Sequence, residues 1–481
     1  MPVTVIMNAD WTIAWDGRAR RHVYLRGADT AFADGRITFV GKGYQGPADV
    51  VVDGRDRLVM PGLVNIHSHP SSEPLRKGIT DEIRSPGFWH SSLYEFLTVF
   101  ETDLEGWRAA MQVGLAELLL SGCTTVADLS FPFDGWLDLL ADSGIRAVAA
   151  PVYRDARWYT RNGHSLEYEW DTGRGRQQFD QARQLIELAR QHPSGRLSGM
   201  VAPAQIDTCS ATLIRDSHDY AAERDLPFQI HAAQSVTEFH EMVRRHGKTP
   251  IQWLHAIGGL SQRSIIGHGI FLDHHPWLHW TTREDMGLLA EAGATVAHCP
   301  TVFARRGITL RSFGSYRRAG INLGIGTDTY PHNMLEEMRA AANNARVIAE
   351  SVDDLMTADI FDAATRGGAR ALRMDDIGGI APGFRADLVL ADTRHPAMRP
   401  LREPLRSLIG VAAERAVRDV YVGGDKVVAD GRCLTIDLAA ASQALEEAQA
   451  RCLGTAPRND WAGRSAADLA PLALPILENL P

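Results

Sequence analysis

The chain has 481 residues, of which 45% are hydrophobic and 23% are charged, and its 50 basic and 59 acidic residues give a net charge of −9. This is the composition of an ordinary soluble globular protein, and the acidic balance argues against a nucleic-acid partner, which would need a basic patch or a high pI. The 5 cysteines are odd in number and show no CxxC spacing, so they do not predict a disulfide framework and favour a reducing cytosol.

The N-terminus lacks a basic start followed by a long apolar run, so no signal peptide is expected. No stretch approaches the roughly 18 apolar residues that predict a membrane span. We therefore expect a cytoplasmic protein with no membrane partner.

The two ends of the chain share one pattern, in which short apolar-polar alternations are punctuated by glycine. It covers the first sixty residues or so and returns in RADLVLAD (385–392) and in VRDVYVGGDKVVADGR (417–432), which contains a Gly-Gly-Asp hairpin turn. Either piece alone has too few strands to bury a face. We predict that they pair into one small β-sandwich built from both chain ends.

Between these ends, short apolar runs alternate with amphipathic helical patterns, which is typical of parallel βα units. Eight such runs favour a closed (β/α)₈ TIM-like barrel over an open sheet, and the predicted fold class is therefore α/β. The predicted barrel strands are 63–69, 124–130, 146–153, 197–205, 227–233, 264–272, 295–300 and 322–328.

Four parts follow from these patterns. Residues 1–60 and 381–435 form the two parts of the sandwich, and residues 61–380 form the barrel. Residues 436–481 form a C-terminal tail that begins as an Ala-rich helix. The sequence leaves open whether this tail packs on its own subunit or on a neighbour.

Polar residues fall at one end of the predicted barrel strands. His67 and His69 are two positions apart, so on a strand they project from the same face. His231, His268 and Asp328 lie late in strands five, six and eight, at the carboxyl end where barrel active sites are built. Imidazoles and a carboxylate around one point are typical of a Zn²⁺, Fe²⁺ or Co²⁺ site.

Each of these residues has a plainer interpretation when it is taken alone. A lone strand histidine such as His268 can be a satisfied core residue, and Asp328 can cap a following helix. The joint pattern decides in favour of a site, because chance would have to place every one of them at the same end of its strand.

Several motifs in this order closely resemble the amidohydrolase superfamily: MPGLVNIHSHP, QIHAAQS, IIGHGIF, VAHCP and GIGTD, followed by RADLVL and VYVGGDKVV. The resemblance spans roughly residues 1–435. The most similar branch contains triazine hydrolases, cytosine and guanine deaminases, S-adenosylhomocysteine deaminases, and phenylurea and thiocarbamate hydrolases.

The resemblance implies a role for each residue of the cluster. His67, His69, His231 and Asp328 would bind the metal, and Asp328 would also accept a proton from the activated water. His268 would orient or deprotonate that water. Some relatives hold a second metal through a lysine at the end of strand four. Because this region has no lysine, we expect one divalent ion, zinc first, with iron or cobalt as alternatives.

One departure from the branch bears on the substrate. Many deaminases of this branch have a glutamate three residues after the strand-five histidine, where this chain has Gln234. An amide keeps the hydrogen-bonding reach of a carboxyl group but does not carry a proton. We therefore predict hydrolysis of an amide-, urea- or carbamate-like bond in a small molecule. Deamination or dechlorination of an N-heteroaromatic ring is the alternative.

Further candidates for substrate contact lie on the loops. Trp89 and His90 belong to the long segment after strand one, and His298 and Tyr330 lie at the ends of strands seven and eight. A local basic cluster follows strand seven and includes Arg305 and Arg306, Arg311, and Arg317 and Arg318. We interpret the cluster as a solvated surface, with an anion-binding rim as the alternative.

A different function class remains to be weighed. Some barrels of this superfamily have lost their ligands and serve as non-catalytic scaffolds, but the intact ligand set argues against that role here. The resemblance also favours a homodimer or a larger homo-oligomer.

Overall fold

A computed structural model describes residues 2–477 of the chain. The strands within this range are β1 (Thr4–Ala9), β2 (Trp11–Asp16), β3 (Arg21–Leu25), β4 (Ala28–Ala33), β5 (Arg36–Gly41), β6 (Val50–Asp53), β7 (Arg57–Pro61), β8 (Leu63–Ser68), β9 (Cys123–Asp128), β10 (Arg146–Ala149), β11 (Val152–Tyr153), β12 (Ala156–Tyr159), β13 (Glu167–Trp170), β14 (Leu197–Gly199), β15 (Ala202–Pro203), β16 (Phe228–Ala232), β17 (Ser264–His268), β18 (Thr295–His298), β19 (Asn322–Ile325), β20 (Leu388–Asp392), β21 (Val417–Val422), β22 (Asp425–Ala429) and β23 (Arg432–Cys433).

The α-helices in the same range are α1 (Leu93–Phe96), α2 (Leu104–Leu120), α3 (Trp136–Asp142), α4 (Thr172–Arg190), α5 (Ala211–Glu223), α6 (Val236–His246), α7 (Pro250–Ala256), α8 (Asp285–Ala292), α9 (Pro300–Ala304), α10 (Phe313–Arg318), α11 (Met334–Ala349), α12 (Thr357–Asp362), α13 (Gly368–Ala371), α14 (Pro404–Ser407), α15 (Leu438–Asn459) and α16 (Ala466–Leu469). None of the helices within residues 2–477 combines the length and the apolar character needed to cross a membrane.

The eight predicted central strands form two parallel four-stranded sheets, in the orders β14-β10-β9-β8 and β16-β17-β18-β19. Backbone hydrogen bonds join the two sheets at both seams. At one seam the Gln229 N–H donates to the Val201 carbonyl oxygen over 2.9 Å, and at the other the Asp328 N–H donates to the His67 carbonyl oxygen over 2.9 Å. At least one helix lies between each two consecutive strands of these sheets, which explains why the strand residues are apolar on both faces.

The chain ends meet in a seven-stranded sheet of order β23-β22-β21-β20-β7-β2-β3. Within it β7 pairs antiparallel with β20, so the N-terminal and C-terminal pieces share one sheet, as predicted. A second sheet of order β5-β4-β1-β6 lies against it. One apolar cluster joins the two sheets and includes Ile6 and Phe32 from one and Leu388 and Tyr421 from the other.

The C-terminal helix α15 packs on its own chain. Its buried face, with Leu445, Ala448 and Cys452, joins Phe100 and Val113 in one apolar cluster. The Gln449 side chain also donates to the carbonyl oxygen of Leu75 over 2.6 Å. The last residues of the predicted tail, 478–481, lie outside the range that the structure describes.

A buried carboxylate fastens the segment after α15 to the long loop that follows β8. Glu95 is only 7% exposed. It accepts hydrogen bonds from Arg464 Nη2 over 2.8 Å and from Trp461 Nε1 over 3.1 Å. The C-terminal segment therefore holds the loop that covers one side of the barrel mouth.

Arg464→Ala should loosen this loop, because it leaves the buried Glu95 carboxylate without its charged partner. We expect the free energy of local unfolding of this loop to fall by about 1.5–3 kcal/mol, the usual contribution of a hydrogen bond to a charged group. Hydrogen exchange of residues 85–99 measures it. Arg451→Ala, which breaks an exposed ion pair between α15 and Asp103, is the matched control and should change exchange far less. Equal exchange in both variants would contradict the prediction.

Candidate metal centre and its cavity

Four side chains predicted from the sequence as ligands converge at the carboxyl ends of the central strands. The possible ligand atoms of His67, His69, His231 and Asp328 all lie within 4.8 Å of one another. Asp328 Oδ1 is 3.3 Å from Nε2 of His67 and 3.3 Å from Nε2 of His69. The Nε2 atoms of His69 and His231 are also 3.3 Å apart.

The three imidazoles are each fixed through their other ring nitrogen. His69 Nδ1 donates to the Leu129 carbonyl oxygen over 2.6 Å, and His231 Nδ1 donates to the Ala204 carbonyl oxygen over 2.7 Å. His67 Nδ1 donates to Oε1 of Gln229. In the neutral form of each ring the proton therefore lies on Nδ1, and the three Nε2 atoms then present a lone pair to the same point.

Gln229 is a functional residue that the sequence reasoning missed. Its own Nε2 donates to the Ile66 carbonyl oxygen over 3.0 Å, which fixes the amide so that the oxygen faces His67. The signal was present in the sequence, because Gln229 lies two positions before His231 on one strand and therefore shares its face.

Asp328 and the histidines around it shift one another's pKa. Burial alone would raise the pKa of the Asp328 carboxyl, but the facing His268, His67 and His69 outweigh it and hold the pKa well below its ordinary value. Burial lowers the pKa of His231 well below its ordinary value. Burial acts in the same direction on His69, but the facing Asp328 carboxylate outweighs it and raises the pKa of His69. The cluster therefore holds an ionised carboxylate beside its imidazoles.

His268 lies beside the cluster without being one of the four converging side chains. Its Nε2 is 3.8 Å from Asp328 Oδ2, which is too long for a direct hydrogen bond. Burial lowers the pKa of His268 to about 3, so the ring is neutral near pH 7. Phe303 packs edge-on against it with ring centroids 4.6 Å apart, which holds the ring at the cavity wall.

These residues fit a divalent cation. Nε2 of His67 is fully buried and has no hydrogen-bond partner within residues 2–477, a costly state for a ring nitrogen unless a ligand meets it. A second group with suitable spacing, His67 with His268 and Cys299, shares His67 with the first. Burial raises the pKa of the Cys299 thiol well above its ordinary value, which disfavours the thiolate that a metal would need.

The cluster opens into a cavity of about 790 Å³, within the range of small-molecule sites. Its walls include the long loop after β8, the segment after β10 and the loop after β18. At the candidate metal centre, the cavity lining includes His69, His231, Gln234, His268 and Asp328.

Not every predicted contact residue reaches this cavity. Trp89 is 53% exposed and His90 is also exposed, so both face solvent. His298 is buried, with its ring 5.9 Å from that of Phe313. Tyr330 directs its hydroxyl group to Thr80 over 2.9 Å. The structure places none of these four candidates in the cavity lining.

Comparison with known proteins agrees with this geometry. The model of the amidohydrolase family matches residues 58–427, which is most of the chain. The chain belongs to the amidohydrolase family. It is a metal-dependent hydrolase that acts on carbon–nitrogen bonds.

Named relatives are similar over most of their length. The chain is 29% identical over 418 residues to the 5-methylthioadenosine/S-adenosylhomocysteine deaminase of Pyrococcus furiosus, covering 85% of this chain and 93% of the relative. It is 29% identical over 420 residues to the 5'-deoxyadenosine deaminase of Methanothermobacter thermautotrophicus, covering 86% of this chain and 90% of the relative.

Solved structures show the same fold. An adenosine deaminase from Xanthomonas campestris with bound zinc superposes with a TM-score of 0.79 at 25% identity, covering 93% of this chain and 98% of that one. An atrazine chlorohydrolase from Arthrobacter aurescens complexed with zinc superposes with a TM-score of 0.77 at 22% identity, covering 93% of this chain and 100% of that one. The amidohydrolase fold, a TIM-like barrel with an additional domain, therefore applies to this chain.

Gln229→Leu tests the role of the amide that fixes His67. The variant leaves Nδ1 of a buried imidazole without its acceptor, so we expect the affinity for Zn²⁺ to fall about 10–100-fold. Competition with a chromophoric chelator measures it. Gln178→Leu is the matched control, since Gln178 lines the same cavity but accepts from the Arg154 backbone N–H instead. Unchanged zinc affinity in Gln229→Leu would refute the role.

Proposed function

We propose that this amidohydrolase holds a single zinc ion and hydrolyses an amide-, urea- or carbamate-like bond in a small molecule. His67, His69, His231 and Asp328 would hold the ion, with Fe²⁺ or Co²⁺ as possible substitutes. When bound, the ion would supply Lewis-acid activation of water and of the substrate carbonyl group. The convergence of three Nε2 lone pairs and a carboxylate supports this ligand set.

Asp328 is the proposed proton acceptor. Its Oδ1 atom faces the imidazoles of His67 and His69, which leaves Oδ2 free on the side toward His268. Because its carboxyl group is ionised near neutral pH, Asp328 can take a proton from water and later deliver it to the leaving nitrogen.

His268 is the proposed second catalytic residue. As a neutral ring it donates one hydrogen bond and accepts another, and its position on the cavity wall lets it orient the nucleophile or stabilise a developing oxyanion.

Gln234 is the residue that favours a carbonyl substrate over a heteroaromatic ring. It is 3% exposed and lines the cavity, and its Nε2 atom has no hydrogen-bond partner within the described chain. An amide there can donate to a substrate oxygen or nitrogen but cannot shuttle a proton to a ring nitrogen. A carbonyl carbon is already electrophilic and needs no such proton.

A second candidate is deamination of an N-heteroaromatic ring. The relatives named above are deaminases of adenosine derivatives, and they are similar along most of this chain. Gln234 is the observation that argues against this candidate.

The architecture and assembly are part of the same proposal. We place the domain boundaries at 1–60, 61–380, 381–435 and 436–481, and we propose that the two central half-sheets form one closed (β/α)₈ barrel. The backbone hydrogen bonds at both seams support closure. The proposal also includes a cytoplasmic location and assembly into a homodimer or larger oligomer.

Replacing His268 tests its proposed role. In His268→Asn we expect kcat to fall about 10²–10³-fold, the usual effect of losing one transition-state hydrogen bond, while zinc content stays unchanged. Steady-state kinetics with metal analysis on the same sample measures both. His90→Asn, on the exposed loop outside the cavity lining, is the control and should keep full turnover. Full turnover in His268→Asn with metal bound would remove His268 from the mechanism.

Replacing Gln234 distinguishes the two candidate reactions. The substrate panel holds phenylureas, thiocarbamates, aryl amides, aminopurines, pterins and amino- or chlorotriazines. We expect wild type to cleave the carbonyl substrates and Gln234→Glu to gain ring turnover of about 10²-fold, the lower end of general acid catalysis. Gln205→Glu adds the same charge to the same cavity and should gain none. Rapid release of ammonia or chloride from a ring by wild type would replace our proposal with the second candidate.

A further inference from the structure

Arg306 is one of the arginines that line the cavity. It follows α9, in the loop after β18, and its side chain lines the same cavity as His268 and Asp328. Burial lowers the pKa of its guanidinium group, and the nearby charges of Glu73 and Asp328 oppose that effect. The group therefore lies in the inner cavity, within the electrostatic reach of the metal site.

Two hydrogen bonds hold this guanidinium group in place. Its Nη1 donates to the Val302 carbonyl oxygen over 2.8 Å and its Nη2 donates to Ser92 Oγ over 2.6 Å. Val302 belongs to α9 and Ser92 to the loop after β8, so the side chain spans two walls of the cavity. Since a guanidinium group has five N–H donors, some remain for a ligand.

No carboxylate within residues 2–477 lies within 4.0 Å of Arg306. Glu73, the first of the charges that act on it, forms an ion pair with Arg76 instead. The adjacent Arg305 lies outside the cavity lining and pairs with Asp81 over 3.2 Å. Arg306 is partly buried. A partly buried cation without a counter-ion loses solvation, and a bound anion would offset that cost.

We infer that Arg306 binds a carboxylate group of the substrate, so that the enzyme selects small molecules that carry a carboxylate as well as the scissile carbon–nitrogen bond. The planar fork of arginine matches the two oxygens of a carboxylate. The cavity lining holds charges of both signs. Its acidic members include Glu73, Glu101, Asp155, Glu169 and Asp171, and its other basic members are Arg76, Arg154, Arg157 and Arg174.

This inference deepens the proposed function and rests on it for the identity of the scissile bond. It also divides the basic cluster after strand seven, for which a solvated surface and an anion-binding rim were the two interpretations. Arg305 fits the solvated surface, whereas Arg306 fits the anion-binding alternative.

The test uses the zinc-loaded enzyme and three probes of similar shape that have no carbon–nitrogen bond: benzoate, acetophenone and phenyl phosphate. Isothermal titration calorimetry on wild type and Arg306→Leu measures the affinity for each probe. We expect Arg306→Leu to bind benzoate at least about tenfold more weakly, the scale of one charge-assisted hydrogen bond, with acetophenone unchanged. Any direct contribution of zinc to benzoate binding is common to both proteins and cancels.

Two further variants keep the test decisive. Arg306→Lys retains the charge but loses the fork, and we expect part of the benzoate affinity to return. Arg305→Leu removes an adjacent arginine outside the cavity and should bind like wild type. Zinc content and acetophenone affinity show that each variant is folded. Equal benzoate affinity in wild type and Arg306→Leu overturns the inference, and so does tighter Arg306-dependent binding of phenyl phosphate.

A turnover arm separates this inference from the proposed function. The substrates are pairs of aryl ureas and aryl amides that differ only in a carboxylate against an uncharged acetyl group. We expect the carboxylate member to have a KM at least about tenfold lower in wild type, and the difference to vanish in Arg306→Leu. If both members are cleaved with equal KM, the inference fails and the proposed function stands. If neither is cleaved while benzoate binding still depends on Arg306, the proposed function fails and the inference stands.

Discussion

The site depends on one constraint, which is that three imidazoles must present unprotonated Nε2 atoms to the same point. Each ring satisfies it by donating its Nδ1 proton to a fixed acceptor, the carbonyl oxygens of Leu129 and Ala204 and the amide oxygen of Gln229. Two of these acceptors are backbone groups at the carboxyl ends of neighbouring strands. Their positions follow from strand pairing, so the same pairing that forms the sheets also places the acceptors that orient the imidazoles.

Much of the fold could be predicted from the sequence because the relevant patterns are local. Parallel strands covered on both faces need apolar runs such as PFQIHAA, and glycine and polar residues mark where each run ends. The pairing of β7 with β20 could be inferred for another reason, since neither end of the chain has enough strands to bury a face alone. The convergence of His67, His231 and Asp328 followed once the strand ends were located.

The residues on loops were harder to place, because a loop has no period that fixes its side chains. Trp89 and Tyr330 were plausible cavity residues by chain position, yet one faces solvent and the other donates to or accepts from Thr80. Arg305 and Arg306 are adjacent and chemically identical, and only their partners differ. Arg305 forms an ion pair with Asp81, whereas Arg306 donates to Ser92 at the cavity wall. Such differences arise from contacts between distant segments, which a single sequence does not display.

The attachment of Glu95 to Arg464 has a consequence for the order in which the protein is made. All four converging side chains emerge from the ribosome well before the C-terminal segment does, and domains of nascent chains fold from the N-terminal side as they appear. The loop after β8 receives its anchor only when Trp461 and Arg464 have been synthesised. A nascent chain therefore has all the residues of its cation-binding cluster before it has the residues that anchor this wall of the cavity, and a chain cut short before Trp461 would keep the former and lose the latter.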